Sequence, residues 1–177
     1  MRNIFSPSLP WARLEPCHSQ EHRSLPADFR AGKQIINIRK LKIVPDPIQL
    51  DARRANISFD VQIEEDIPPL SKVHLKVWKI RSFLGFEWKH STPCLFPSGC
   101  DVELCSFVQS LSLNVTLCPV KAQGLQNDGL SFEIPELGGF VRWFASGRYG
   151  VEMKISGPNS EQLSCYSLKG EVNGGRR

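Results

Sequence analysis

The chain has 177 residues, 41% of them hydrophobic and 23% charged, with a net charge of +4. That is the size of one domain with a core of its own. No run is long and apolar enough to span a bilayer. The basic residues are spread along the chain with some excess at both ends, and no dense basic stripe carries interleaved aromatics, which argues against nucleic acid.

Residues 1–33 are rich in Pro, Ser, Arg and His without periodicity and read as an extended or poorly ordered arm, tethered if Cys17 is bridged. Met1 to Pro16 has no continuous apolar stretch of the kind a signal peptide needs. A domain is expected over 34–172, followed by a flexible tail over 173–177. Ile36 and Ile38 alternate with polar residues, and Leu41 and Ile43 continue one residue out of phase, the pattern of a β-bulge. Pro45-Asp46-Pro47 ends that strand.

Asn56 to Ile63 is the clearest strand, with Ile57, Phe59, Val61 and Ile63 on one face. After a turn at Asp66–Leu70, Val73, Leu75 and Val77 alternate with polar residues. Trp78 and Ile80 then read as a change of phase. Ser82 to Phe86 reads as a loop with exposed apolar residues, followed by Trp88. A short helix is expected between Asp101 and Leu113, near the Cys100–Cys105 segment. Cys118 to Gly129 reads as loop, Leu130 to Ile134 as a short strand, and Gly138 to Gly147 as an aromatic loop. Tyr149, Val151, Met153 and Ile155 alternate again. Gly157-Pro158-Asn159 turns the chain into a last strand over Leu163–Gly170. Many short strands with turn signals between them predict an all-β antiparallel sandwich or cup.

Four of the six cysteines lie between Cys94 and Cys118, with Cys17 and Cys165 far outside. This grouping suits a disulfide framework of local staples and one long clasp in an oxidising compartment. Set against it, the start reads as an incomplete or alternative one. Zinc, with His90 nearby, is the rival reading, but no Cys-x-x-Cys occurs. Asn56-Ile-Ser58 and Asn114-Val-Thr116 are glycosylation sequons, with Asn56 and Asn114 as acceptors.

No nucleophile elbow, zinc helix or phosphate loop is present. His74 sits on the polar face of a strand and reads as solvated. No catalytic residue, metal ligand or cofactor is assigned, and the chain is not expected to be an enzyme. More informative are Phe83, Leu84 and Phe86 in one loop and Phe140, Trp143 and Phe144 in another. Such residues fold back as core lids or form a lip that dips into a membrane interface.

From about Ile36 to Val172 the chain resembles the ganglioside GM2 activator group of MD-2-related lipid-recognition-like domains. Leu41-Lys-Ile-Val-Pro-Asp-Pro-Ile48 is similar to the first strand and turn of that group, and Asn56-Ile-Ser58 falls at its glycosylated asparagine. Pro69-Leu-Ser-Lys-Val-His-Leu75 resembles a Pro-Leu-Lys-Val-Asp-Leu strand, and Cys118-Pro-Val-Lys121 a Cys-Pro-Phe-Lys segment. Pro93-Cys94 with Ser98-Gly-Cys100, Phe132 to Leu137, Arg142 to Tyr149, and Leu163-Ser-Cys165 with Leu168-Lys-Gly170 follow in the same order.

The resemblance implies pairs Cys17–Cys165, Cys94–Cys100 and Cys105–Cys118; a fourth bridge of the group is missing as a complete pair. It also implies a β-cup with a large apolar pocket that binds a glycosphingolipid or phospholipid, lifts it from an anionic membrane surface and presents it to a lysosomal hexosaminidase-type glycosidase. The setting would be lysosomal or extracellular. Faces carrying Ile57, Phe59, Val61, Val73, Leu75, Val77, Val151, Met153 and Ile155 are expected to line the pocket, with ordinary dry core as the alternative for each. Trp143 matches the lip tryptophan of the group. A secreted adhesion or structural sandwich with a filled core, and a divergent hydrolase, are the competing functions.

Overall fold

Ten strands and one short helix make up the computed structural model, which describes residues 13–17, 34–92, 100–110, 118–134, 136 and 145–174. The strands are β1 (Arg13–Pro16), β2 (Ile36–Val44), β3 (Ile48–Gln49), β4 (Arg54–Ile63), β5 (Lys72–Phe83), β6 (Phe86–Thr92), β7 (Asp101–Glu103), β8 (Gln123–Glu133), β9 (Gly147–Ser156) and β10 (Gln162–Asn173). The helix α1 spans Leu104–Ser110. One sheet runs β1-β10-β9-β5-β6, with β3 added to β10 and β7 to β5; the other runs β2-β4-β8. All pairings are antiparallel except β3 with β10. The fold is the expected antiparallel two-sheet sandwich with one short helix.

The phase slip in β2 is a bulge: the register shifts between Ile38 and Lys40, which keeps Ile36, Ile38, Leu41 and Ile43 on one face. Three other expectations are corrected. The stretch before Gly129 is not loop, because β8 begins at Gln123; its polar residues suit a strand with a single neighbour among the described residues. Ser82–Phe86 is not a loop but the tip of a two-residue hairpin, with Leu84 (φ 52°) and Gly85 (φ 86°) both left-handed at the turn. And β5 does not change phase at Trp78. Its pairing with β9 runs from Lys72↔Ser156 to Ile80↔Arg148 without a shift. Trp78 and Ile80 therefore stay on the face of His74 and Lys76, and Trp78 covers Gly150, where a Cβ would overlap the indole.

The two sheets meet in a cluster of Ile35, Ile63, Ile67, Val73, Leu75, Leu104, Val120, Ile155 and Leu163, all buried. These residues come from one end of the sandwich: the last residue of β4, the early residues of β5 and β10, the end of β9, and the start of α1. The helix turns Leu104, Phe107 and Val108 onto the cluster and closes that end. Cys105–Cys118 ties the helix to the segment before β8, and Cys17–Cys165 ties the arm to β10. Arg13–Pro16 adds to β10 as a short strand. Cys100 is disulfide-bonded as well; its implied partner Cys94 lies outside the described residues.

A polar tie crosses between the sheets. The Tyr166 hydroxyl donates to the Ile36 carbonyl (2.9 Å) and accepts from the Ile38 N–H (3.1 Å), beside the β2 bulge. Tyr166→Phe leaves that N–H without its partner and is expected to cost about 1–3 kcal/mol, checked by urea unfolding. At the closed end, Asp66 accepts from the Ala122 N–H (2.8 Å) and from Lys121 (2.9 Å), and these bonds hold its carboxyl below the ordinary carboxylate range. A depressed folded pKa stabilises the protein above the unfolded pKa, and that stability is lost as pH falls through the folded value. Asp66→Asn is therefore expected to melt slightly below wild type at neutral pH. The gap should close on acidification below the carboxylate range, read by thermal melts across pH.

Candidate functional site

Register decides which side chains face the space between the sheets. On the large sheet, Val73 pairs with Ile155, Leu75 with Met153 and Val77 with Val151, and directly opposed residues share a face. On the small sheet, Val61 pairs with Ile38 and Leu125, Phe59 with Leu41, and Ile57 with Ile43 and Leu130. Ile63 and Val73 meet in one cluster, so these two faces are the inner ones.

The nine expected lining residues thus all stand on inner faces, but their burial differs with position. Val73 (0% exposed), Leu75 and Ile155 belong to the buried cluster at the closed end. Val61 and Met153 pack against that cluster. Ile57, Phe59, Val77 and Val151, further toward the opposite end, are only half-buried. Ala55 is buried even there. A cavity of about 140 Å³ lies between the sheets in this region, lined by Ile43, Ile48, Tyr149, Val151, Leu168 and Val172 among others.

The open end carries the β5–β6 hairpin tip. Phe83 is 64% exposed, Leu84 81%, Phe86 76% and Trp88 47%. Phe83, Leu84 and Phe86 thus stand exposed at the hairpin tip. Phe140, Trp143 and Phe144 lie outside the described residues.

The outer face of the large sheet is polar and closely paired. Arg148 meets Glu87 at 2.7 Å and Lys76 meets Glu152 at 3.7 Å. The Lys89 ammonium stands 5.0 Å from the Trp78 ring centre, and Trp78 Nε1 is buried with no acceptor among the described residues. Beside Trp78 is a cleft of about 630 Å³, reaching from Thr92 to Cys100 and Asp101.

His74 is not simply solvated. Its Nδ1 lies 2.6 Å from Asp101 Oδ1 and its Nε2 2.7 Å from Ser156 Oγ. The order Ser–His–Asp is that of a nucleophilic triad. Ser156, however, is 5% exposed, so its hydroxyl is closed to a substrate, and the chain of bonds ties β7 to β5 and β9. The potential metal-ligand group Cys17, Cys165 and Glu152 has its two sulfurs bonded to each other. Asn56 is exposed on the outer face of the small sheet, and the Ser58 hydroxyl donates to the Asp128 carbonyl (2.9 Å). Asn114 lies outside the described residues.

In structure the chain is similar to a Niemann-Pick type C2 protein from the Japanese carpenter ant, with 15% identity over 80% of this chain and 96% of that one and a TM-score of 0.45. No protein-family model matches the chain, and no curated protein is significantly similar in sequence.

Core and lining are separable by substitution. Ile155→Ala is expected to cost about 2–5 kcal/mol, because it opens a cavity in the closed end. Val151→Ala removes a half-buried side chain beside existing space and should cost about 1 kcal/mol or less. Equal losses in denaturant unfolding would mean that the sandwich is equally filled at both positions.

Proposed function

We propose that this protein is a non-enzymatic lipid carrier, which takes a lipid from a membrane into the space between its sheets. The observation that carries the reading is the exposed tip of Phe83, Leu84 and Phe86 at the end of the sandwich where inner-face burial is incomplete. A lipid leaving a bilayer loses about 0.8 kcal/mol per methylene unless an apolar site receives it. Half-buried Ile57, Phe59, Val77 and Val151 offer such a site, and the aromatic tip offers entry through the interface, where amphipathic rings are favoured.

The finer reading is that the ligand is a glycosphingolipid or phospholipid taken from an anionic membrane, and that the loaded protein presents the headgroup to a lysosomal hexosaminidase-type glycosidase. The sequence resemblance supports it. The disulfides Cys17–Cys165 and Cys105–Cys118 suit a lysosomal or extracellular setting. Asn56, exposed at a strand position, suits a glycan acceptor. Trp143, Phe140 and Phe144 are assigned to the same lip as Phe83, Leu84 and Phe86.

Native mass spectrometry after incubation with mixed liposomes tests the reading. The wild type is expected to retain lipid stoichiometrically. A Phe83→Ser/Phe86→Ser variant should load several-fold more slowly at unchanged stability, since these exposed apolar groups contribute little to folding, and Trp143→Ala should also load more slowly. Absence of lipid in all three proteins would leave a filled sandwich with an adhesive or structural role.

A further inference from the structure

Between β2 and β4 the chain leaves its own sheet. Those two strands are neighbours, joined in register up to Val44↔Asn56, and a plain hairpin loop would connect them. Residues 45–53 cross instead to the large sheet, where β3 pairs in parallel with the end of β10, Ile48 with Val172 and Gln49 with Asn173. The Leu50 N–H adds a bond to the Asn173 carbonyl (2.8 Å). Where the crossing returns to the small sheet, the Arg53 carbonyl accepts from the Ile134 N–H (3.1 Å). Val172 pairs with Gly147, next to Arg148, which pairs with Ile80, so this strap meets the large sheet near the hairpin-tip end. Along β10 it is roughly 20 Å from the Tyr166 tie, at ~3.3 Å per residue.

The strap also forms one wall of the cavity of about 140 Å³ between the sheets, through Pro45, Asp46 and Ile48. The wall on the large sheet is firmly held. Val151 is paired on both sides, with Val77 and Leu168. Tyr149 donates from its hydroxyl to the Ala145 carbonyl (2.8 Å), and the Lys79 ammonium lies 5.3 Å from its ring centre. The strap is held least. No residue from Val44 to Arg54 is buried, so it contributes no core residue. Parting β3 from β10 breaks no pairing inside either sheet of strands: β10 keeps β9 on its other edge, and β2 keeps β4. Segments with few bonds and no buried side chains are the ones that open locally. A cavity of this size admits a molecule about as large as benzene. A lipid acyl chain is several times larger, so it enters this space only if a wall moves.

We infer that the strap over residues 45–53 is a gate: β3 parts from β10 to admit a lipid chain between the sheets and pairs again once the chain is inside. The inference rests on the lipid-carrier reading above. In that reading the tip of Phe83, Leu84 and Phe86 makes the membrane contact, and the strap controls the step after it.

The gate is tested by locking it. Gln49 and Asn173 are register partners outside the cavity lining, and strands ~4.8 Å apart bring paired Cα atoms into disulfide range. Gln49→Cys/Asn173→Cys is prepared oxidised, with the new bridge and the native ones verified by peptide mapping. Gln49→Ser/Asn173→Ser, which carries both changes without the bridge, supplies the reference rate. Uptake is followed from phosphatidylcholine vesicles that contain a pyrene-labelled phosphatidylcholine. The lock is expected to slow uptake about tenfold or more. Leu50→Pro, which removes the N–H that reaches Asn173, should instead raise the rate several-fold. Flotation with the same vesicles should be equal for the locked and reference proteins, because the tip is untouched. Uptake by the locked protein at the reference rate overturns the gate and leaves the lipid carrier standing. So does a lock that acts by weakening flotation, which would place the strap at the membrane contact. If the bridge does not form, Leu50→Pro decides: uptake at the wild-type rate overturns the gate. No uptake by the wild type overturns gate and carrier together.

Discussion

The unbroken pairing of β5 with β9 is the constraint on which the rest depends. Nine consecutive register pairs join them, from Lys72↔Ser156 to Ile80↔Arg148. Because side chains alternate with period two, a one-residue slip here would exchange the faces of both strands. Val73, Leu75 and Ile155 would leave the core, and His74, Lys76 and Lys154 would enter it. The register therefore sets the closed end and the half-buried wall beyond it in one stroke. Trp78 over Gly150 helps hold it, since a side chain at position 150 would have to displace the indole.

The two sheets have different work. The large sheet is regular through its centre and supplies the long wall from core to hairpin tip. The small sheet carries two irregularities, a shift between Ile38 and Lys40 in β2 and another where Ile57 and Phe59 meet β8, and the large sheet carries one at its edge, between Gln162 and Ser164 in β10. Bulges bend a strand and increase its twist. Tyr166 ties the sheets together beside the β2 bulge by bonding Ile36 and Ile38 from the opposite sheet. The two bridges between described residues act at the margins, on the arm and on α1.

That asymmetry gives the functional reading its physical sense. A closed, dry end supplies stability, and incomplete burial at the other end leaves apolar surface for a guest. Exposed aromatics at the tip are tolerable in water only as a small patch and become favourable at a bilayer interface. The polar outer face of the large sheet, with its Arg148–Glu87 and Lys76–Glu152 pairs, stays in water in either case.

Alternation and turn chemistry in the sequence determined the all-β class, the strands around Ile57 and Val151, the β2 bulge and the inner-face membership of the nine apolar residues, because each is a local period-two pattern. The cysteine grouping determined an oxidised framework, with the pairing supplied by the resemblance. Only the tertiary structure decided three matters. It placed β8 within a polar stretch, since Gln123 to Asp128 carry little apolar signal and gain their order from backbone bonds to β4. It kept β5 in phase through Trp78, where hydrophobicity pointed the wrong way: a large aromatic packs on a glycine of the next strand, and a lysine lies inward along a tyrosine. And it separated Val73, Leu75 and Ile155, which are core, from Ile57, Phe59, Val77 and Val151, which are half-buried, because burial is set by what packs against each position and not by residue type.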